Sequence, residues 1–466
     1  MTDESVSSED GGSRFSLIVS LLIVAVFALM WWLNRSSPDG AWALAYTIAE
    51  VTLVSVVIWQ VCDPFADAAQ WVGQKFRLPG SVRGATLDAI ASSMPELFSG
   101  IFFVVIAISA AKDLNPGDTA AAGEAILKAG AEGFGSTIAT CAGSAVYNMI
   151  LIPAFCAMVI SFVRPERPTI DVDDEVISRD GIWFLCCEIL LIMFLFQNQM
   201  MWWMGIVLLI VYGVYIAQLY FDAMQYRVKM DAINAYLSQN GADGNVRDIV
   251  AAVREQGVRV TANFAMKAQD EFRDPNRTGD DEEERTDSAG VFFGYFHIPL
   301  NGLTTCLVLL GATLLAASAC YFLVEATIRT AEILKVPAFF VAVILAAAAS
   351  SVPDTFLAIA AARRGDDSGA VSNAFGSNIF DICICLAIPL LVNSWLTGWE
   401  PVSLLQDGKP IAGLVGLRIL LVVLTVVNLG IMWHNRQITR KKAFIMCGLY
   451  AVFVAYAVLG SLGILF

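Results

Sequence analysis

Charge is scarce in this chain: of 466 residues only 15% are Asp, Glu, Lys or Arg, against 57% hydrophobic, a mixture no ordinary soluble globular protein carries. Positive charge is scarcer still. With 29 Lys and Arg against 43 Asp and Glu the net charge is -14, which denies a nucleic-acid backbone the basic patch it needs, so no nucleic-acid partner is expected. Two histidines, His297 and His434, are too few for a His-built zinc or iron centre. The ten cysteines include no CxxC pair and lie almost entirely inside apolar runs; they read as small buried apolar residues rather than as a disulfide framework or a metal site. The opening MTDESVSSEDGGSR lacks the basic n-region of a signal peptide, and no small-residue cleavage site follows its apolar run, so the first hydrophobic segment is expected to be retained. The same acidity argues against a mitochondrial transit sequence.

What is present is long apolar runs. A membrane span needs about 20 mostly apolar residues, and eleven segments qualify: 15–34, 41–62, 84–110, 126–163, 181–197, 200–221, 297–324, 336–362, 368–394, 411–433 and 443–465. The first is an extra span and the rest are M1 to M10. If the spans alternate, Arg14, Lys75, Arg77, Arg83, Arg164, Arg167, Arg179, Arg363, Arg364, Arg436, Arg440, Lys441 and Lys442 share one side, leaving few such as Arg35, Lys112, Arg329 and Lys409 on the other. The rule that basic loops stay inside then places the amino terminus in the cytoplasm and the carboxyl terminus outside, in a multi-pass protein expected at the cell membrane. The one long polar segment, 222–294, joins M5 to M6 on the cytoplasmic side. It opens with a helix pattern from Ala223 to Leu237, passes Gly241 to Gly244 and ends in the acidic run Asp280 to Glu284, which reads as a solvated disordered linker, with cation sensing as the alternative.

An internal repeat is the strongest signal. Ala91-Ser92-Ser93-Met94-Pro95-Glu96-Leu97-Phe98 in M2 returns as Ala349-Ser350-Ser351-Val352-Pro353-Asp354-Thr355-Phe356 in M7, and in the following spans Gly143-Ser144-Ala145-Val146-Tyr147-Asn148 is answered by Gly376-Ser377-Asn378-Ile379-Phe380-Asp381. M2 and M7 lie an odd number of spans apart, so the copies cross the membrane in opposite directions. The expected fold is an all-α polytopic membrane protein, with a ten-helix core of two inverted five-helix repeats plus one extra N-terminal transmembrane helix. Its expected divisions are 1–40 (acidic start and extra helix), 41–221 (first repeat, motifs 84–98 and 143–148), 222–294 (cytoplasmic loop) and 295–466 (second repeat, motifs 342–356 and 370–381).

The repeated residues carry cation chemistry. A proline has no N–H and collides with the carbonyl four residues back, so Pro95 and Pro353 are expected to release the carbonyls of Ala91 and Ala349 and loosen their neighbours. Bare carbonyls at membrane depth survive only where buried in protein or lining a cavity. Helical i, i+4 spacing puts Ser92 with Glu96, Ser350 with Asp354, Ser144 with Asn148 and Ser377 with Asp381. An all-oxygen set of this kind suits a hard cation such as Ca2+, which takes about six to eight oxygens. An ionised acid at a helix centre costs roughly 2.5–3.5 kcal/mol, and Glu96, Asp354 and Asp381 have no basic residue at comparable depth, so cations or protons must neutralise them. A single serine or proline in a membrane helix is ordinarily structural; the recurrence of the whole set in inverted copies is what points to transport rather than to enzyme catalysis. Nothing here resembles the continuous multi-subunit filter of a channel.

At these residues the chain resembles the calcium/cation antiporter superfamily, with its paired repeats of the form GxTxxAxGTSxPE followed by GSxxxN or GSNxxD. Gly84-Ala85-Thr86, both Pro-acid cores and the run from Ala370 to Asp381 are most similar to potassium-dependent sodium/calcium exchangers. The resemblance implies that Glu96 and Asp354 bind Ca2+ and Na+ in turn, helped by backbone carbonyls at Ser92 and Ser350. It implies that Asn148 and Asp381 complete the midplane cluster, and that Ser93, Ser144, Ser351 and Ser377, with the carbonyls of Ala89 and Ala347, line flanking Na+ sites. It further implies that M1 and M6 slide across the other eight helices. No tightly bound cofactor is expected; Ca2+ and Na+ are the expected substrates, with K+ or H+ as further candidates, the lipid bilayer is the surrounding partner, and no protein partner can be read. The chain departs from the pattern at Ala91 and Ala349 (usually Gly), Ser92 and Ser350 (usually Thr), Ala342 and Ile344 (Gly and Thr), and Asp88 (usually apolar), which adds a fourth carboxylate to the pathway or stays protonated. Glu50 and Glu188 read as protonated or structural acids. The expected function is Ca2+/Na+ antiport, with or without K+. A Ca2+/H+ antiporter is the alternative, and a cation channel or non-transporting sensor a lesser one.

Overall fold

The computed structural model describes residues 6–37, 40–76, 78, 80–114, 119–172, 176–241, 244–273, 287–406, 409–411 and 413–462. The extra span is α1 (Val6–Ser36). The first repeat comprises α2 (Ala43–Lys75), α3 (Gly80–Arg83), a π-helical turn (Gly84–Asp88), α4 (Ala89–Leu114), α5 (Thr119–Val163), a second π turn (Val176–Gly181), α6 (Ile182–Leu195) and α7 (Trp202–Asn240). Then come α8 (Val246–Glu255), α9 (Ala262–Arg273) and an antiparallel hairpin of Ser288–Val291 and Phe296–Pro299. The second repeat comprises α10 (Gly302–Leu334), α11 (Ala338–Val341), a π turn (Ala342–Ala346), α12 (Ala347–Ser350), α13 (Val352–Arg363), α14 (Asp367–Phe380), a π turn (Asp381–Cys385), α15 (Ala387–Leu396), α16 (Leu414–Trp433) and α17 (Arg440–Ser461).

Among the described residues ten helices are long and apolar enough to cross a membrane. They match the extra span and M1 to M10 except M4, whose α-helical part, α6, has only 14 residues and reaches a span's length through the π turn before it. α1 lies at the periphery against α2, with the rings of Phe27 and Tyr46 5.7 Å apart, and exposes Ile18, Leu21, Leu22 and Trp32, as lipid-facing residues must be.

The main core runs through α4 to α7 and α13 to α17, built on residues such as Phe103, Phe134, Ile150, Tyr215 and Phe375. At its centre the repeats interlock through two glycines at equivalent positions. A Cβ on Gly143 of α5 would stand 2.1 Å from the Val343 carbonyl in the π turn of the second repeat, and one on Gly376 of α14 would stand 2.7 Å from Cα of Ala85 in the π turn of the first. Ala85 and Val343 are themselves equivalent, so each GS motif packs on the other repeat's π turn, as two inverted copies sharing one centre require.

Several expectations need correction. The loosening expected at the two prolines is unequal: α4 is continuous from Ala89 to Leu114 with Pro95 inside, whereas at Pro353 the chain leaves helical geometry at Ser351 (φ -85°, ψ 3°). In both repeats a π turn ends about two helical turns before the proline. Cys186 and Cys306 are exposed rather than buried, and all ten cysteines are free. Beside the expected helix, the 222–294 segment carries a small core. α7 continues through Leu237 to Asn240, and Ile233 and Leu237 form a small core with Ile249 and Val253 of α8 and Ala265 and Ala268 of α9. The acidic run Asp280 to Glu284 lies outside the described residues.

Candidate ion-binding site

Three lengths of helix geometry bring the repeated residues together. Pro95 and Pro353 leave their helices without one N–H each, the π turns at Gly84–Asp88 and Ala342–Ala346 widen the turn ahead of them, and Gly143 and Gly376 let the next residues, Ser144 and Ser377, reach the opposite repeat. Ser92, Ser93, Glu96, Ser144, Asn148, Ser350, Ser351, Asp354, Ser377 and Asp381 all have no exposed surface, and Ala89 and Ala347 are buried beside them.

Ser144 is the hub. Its Oγ lies 3.1 Å from Glu96 Oε1, 3.0 Å from Asp381 Oδ2 and 2.9 Å from Ser351 Oγ, and it accepts from Asn148 Nδ2 at 3.2 Å. Ser351 Oγ also lies 3.3 Å from Glu96 Oε1. On the other flank Ser377 Oγ donates to Asp354 Oδ1 at 2.7 Å and stands 3.2 Å from Ser92 Oγ. The Ala89 carbonyl is 3.3 Å from Ser92 Oγ, and the Ala347 carbonyl accepts from Ser350 Oγ at 3.2 Å. Each of the three acids is therefore tied to the facing glycine-serine motif or to its own repeat's serine, across all four motif helices.

Donors run short. A serine has one hydroxyl proton, so Ser144 can satisfy Glu96 or Asp381 but not both at once. Glu96 Oε2, Asp354 Oδ2, Asp381 Oδ1 and Asn148 Oδ1 are buried without a hydrogen-bond partner, and none of the ion pairs among the described residues reaches Glu96, Asp354 or Asp381. Buried polar oxygens left unpaired are costly, and a cluster of unpaired acceptors with no cationic side chain has the chemistry of a cation site. The carboxylates do not form a cage by themselves: among the described residues no three or more His, Cys, Asp or Glu side chains are grouped as a metal site. Hydroxyl, amide and backbone oxygens make up the rest of the donor set, as a hard, flexibly coordinated ion allows.

The side chains of the other acids singled out in the sequence stand apart from these hydrogen bonds, although the Asp88 carbonyl accepts from Ser92 Oγ at 2.9 Å. Asp88 faces Arg83 at 3.8 Å and lines a cleft with Gln70, Arg364, Asp366 and Asn373. Glu50 pairs with Arg329 at 3.3 Å, and Glu188 accepts from Thr425 at 3.0 Å. Two residues went unnoticed in the sequence although they sit inside its motifs. Asn378 Nδ2 donates to the Ala145 carbonyl at 3.0 Å and so ties α14 to α5 beside Ser144, and Thr355 Oγ1 meets the Tyr147 hydroxyl at 3.4 Å.

The family model for sodium/calcium exchanger proteins matches residues 46–221 and 304–459. The chain is 24% identical to sodium/potassium/calcium exchanger 5 of Homo sapiens, over 93% of this chain and 86% of that protein. It is 21% identical to sodium/potassium/calcium exchanger 2 of Gallus gallus, over 86% and 75% respectively. A solved structure of the H+/Ca2+ exchanger CAX superposes with a TM-score of 0.53 at 15% identity, covering 97% of this chain and 94% of that one, which shows a shared fold. With both repeats inside the matched residues and the motif acids at their centre, the chain belongs to the sodium/calcium exchanger family of the calcium/cation antiporter superfamily.

Proposed function

We propose that this protein is a secondary active antiporter that exchanges Ca2+ for Na+ by alternating access. The observation that carries the reading is the fully buried set of Glu96, Asn148, Asp354 and Asp381 with oxygens left unpaired, drawn from four helices of two inverted repeats. Glu96 and Asp354, one from each repeat, take Ca2+ and Na+ in turn. Ser92, Ser350, Asn148 and Asp381 complete the central donor set; Ser93, Ser144, Ser351 and Ser377, with the Ala89 and Ala347 carbonyls, serve the flanking Na+ positions. Neutralising buried acids with transported ions makes empty carriers costly to reorient, which is how one ion's exit becomes tied to the other's entry.

The names of the similar exchangers support K+ as a further co-substrate. The segment 222–294 is assigned to the cytoplasm, the amino terminus with it, and the protein to the cell membrane. The test is Ca2+ uptake into proteoliposomes under Na+, K+ or H+ gradients imposed one at a time. Uptake driven by an outward Na+ gradient at constant pH supports the reading. Uptake driven only by a pH gradient, and abolished by a protonophore, replaces it with Ca2+/H+ exchange.

A further inference from the structure

α2 and α10 share an apolar layer. Val51, Val54, Ile58 and Cys62 of α2 meet Ala319, Cys320, Leu323 and Ala326 of α10, with Ala349 of α12, in a cluster distinct from the main core. The pair is fastened at one end by Arg329 and Glu50, 3.3 Å apart. At the other end the 288–299 hairpin, whose chain runs directly into α10, reaches across to α2: the Gly290 N–H donates to Asp67 Oδ2 at 2.9 Å and the Phe293 N–H to Gln60 Oε1 at 2.7 Å. Ala68 of α2 packs with Ala289 and Leu300 alongside. Helix, hairpin and helix are thus fastened to one another at both ends, and their shared apolar layer also meets the acid-bearing segments at Ala349, Phe98 and Phe102.

Two phenylalanines at equivalent positions connect this body to the site. Phe98, two residues beyond Glu96, sits among Val61, Ala312 and Ala316, a bed of small side chains. Phe356, two residues beyond Asp354, instead stacks on Trp59 of α2, with ring centroids 4.0 Å apart and planes 12° from parallel. Trp59 meets Phe293 at the hairpin tip edge-on, at 6.3 Å and 78°. One contact is therefore smooth, and its counterpart is a directional aromatic pair braced by a segment outside the two repeats.

We propose that Trp59, stacked on Phe356 and braced by Phe293, is a positioning residue for transport: a latch that holds the α2–α10 body in its observed register against the helix that bears Asp354, and links the 222–294 segment to that register. The inference rests on the exchange reading above. Alternating access moves one bundle against another, and a contact made in one state and broken in the other biases the equilibrium between them. Weakening it shifts the populations without altering intrinsic ion affinity, so apparent affinities at the two faces move in opposite directions.

The experiment measures the Ca2+ concentration for half-maximal transport at each face, in vesicles of defined orientation, for wild type, Trp59→Ala, Phe356→Ala, the double variant, Phe293→Ala and Trp59→Phe. The ratio between faces is expected to shift roughly two- to ten-fold in either stack variant, the range an aromatic pair's strength allows. Phe293→Ala shifts it the same way by less, Trp59→Phe stays near wild type, and the double variant moves no further than the larger single, because both remove one contact. An unchanged ratio in both stack variants, or fully additive shifts, overturns the latch, since a side chain that only fills space lowers yield or maximal rate at both faces alike. Trp59→Leu stands in if Trp59→Ala does not fold. A wild type that moves no Ca2+ counts against the exchange reading instead.

Discussion

At the scale of single residues, the account rests on charge. Glu96→Gln and Asp354→Asn keep shape and volume but delete a negative charge at a position fully shielded from water. Losing about 3 kcal/mol of interaction with a charged partner, the upper end of the ordinary range, corresponds to roughly 100-fold, so each variant is expected to cut Ca2+ transport at least that far while eluting as folded protein. Wild-type rates in either folded variant would remove these residues from the site. Asp381 poses a different question. With Glu96, Asp354 and Asp381 ionised, one Ca2+ leaves a net negative charge in a low-dielectric centre, so a monovalent ion must join it or a proton must stay. If K+ is that ion, K+ raises transport in wild type, and Asp381→Asn makes transport indifferent to it. Transport in wild type that is equally fast with K+ replaced by an inert cation, at limiting Ca2+ and clamped voltage, would assign the place to a proton. All of these residues were legible in the sequence because the pattern occurs twice. The hub role of Ser144 was not, since nothing in i, i+4 spacing says that its hydroxyl meets acids from both repeats at 3.1 and 3.0 Å.

Between helices, the site depends on close approach more than on proline. The sequence points to Pro95 and Pro353 as the places where helices open, yet α4 passes Pro95 unbroken and the π turns ahead of both prolines do the widening. A π turn has no residue signature that spacing reveals; here the Gly143 and Gly376 faces of α5 and α14 pack on the two turns. This makes the glycines testable. Gly143→Ala drives a methyl against the Val343 carbonyl, a backbone atom that cannot swing aside, and is expected to cost at least the ~1–3 kcal/mol usual for overpacking, read as a lower melting temperature and poorer yield in detergent. Gly311→Ala, where a Cβ meets nothing within 4 Å, is expected to leave both unchanged. The small core joining α7 to α8 and α9 and the docking of the hairpin on α2 were equally hidden. Both are tertiary contacts of a segment whose composition reads as polar linker.

For the molecule as a whole, hydrophobic run length and the inverted repeat were enough to foresee the fold. The physics of the bilayer leaves few alternatives to helices for apolar stretches of this length, and the repeat fixes which helices meet at the centre. In the proposed exchange, the α2–α10 pair, with its shared apolar layer and its ion pair at one end, is the second body that alternating access requires. The central claim, that Ca2+ and Na+ compete for one buried carboxylate set, is tested most directly by equilibrium Ca2+ binding to the purified protein, measured by radioactive Ca2+ retention at fixed pH and constant ionic strength while Na+ replaces an inert cation. Saturable Ca2+ binding is expected, displaced by Na+ with a steep, more than first-order dependence and lost in Asp354→Asn. Ca2+ binding indifferent to Na+, or retained in full by Asp354→Asn, would contradict it.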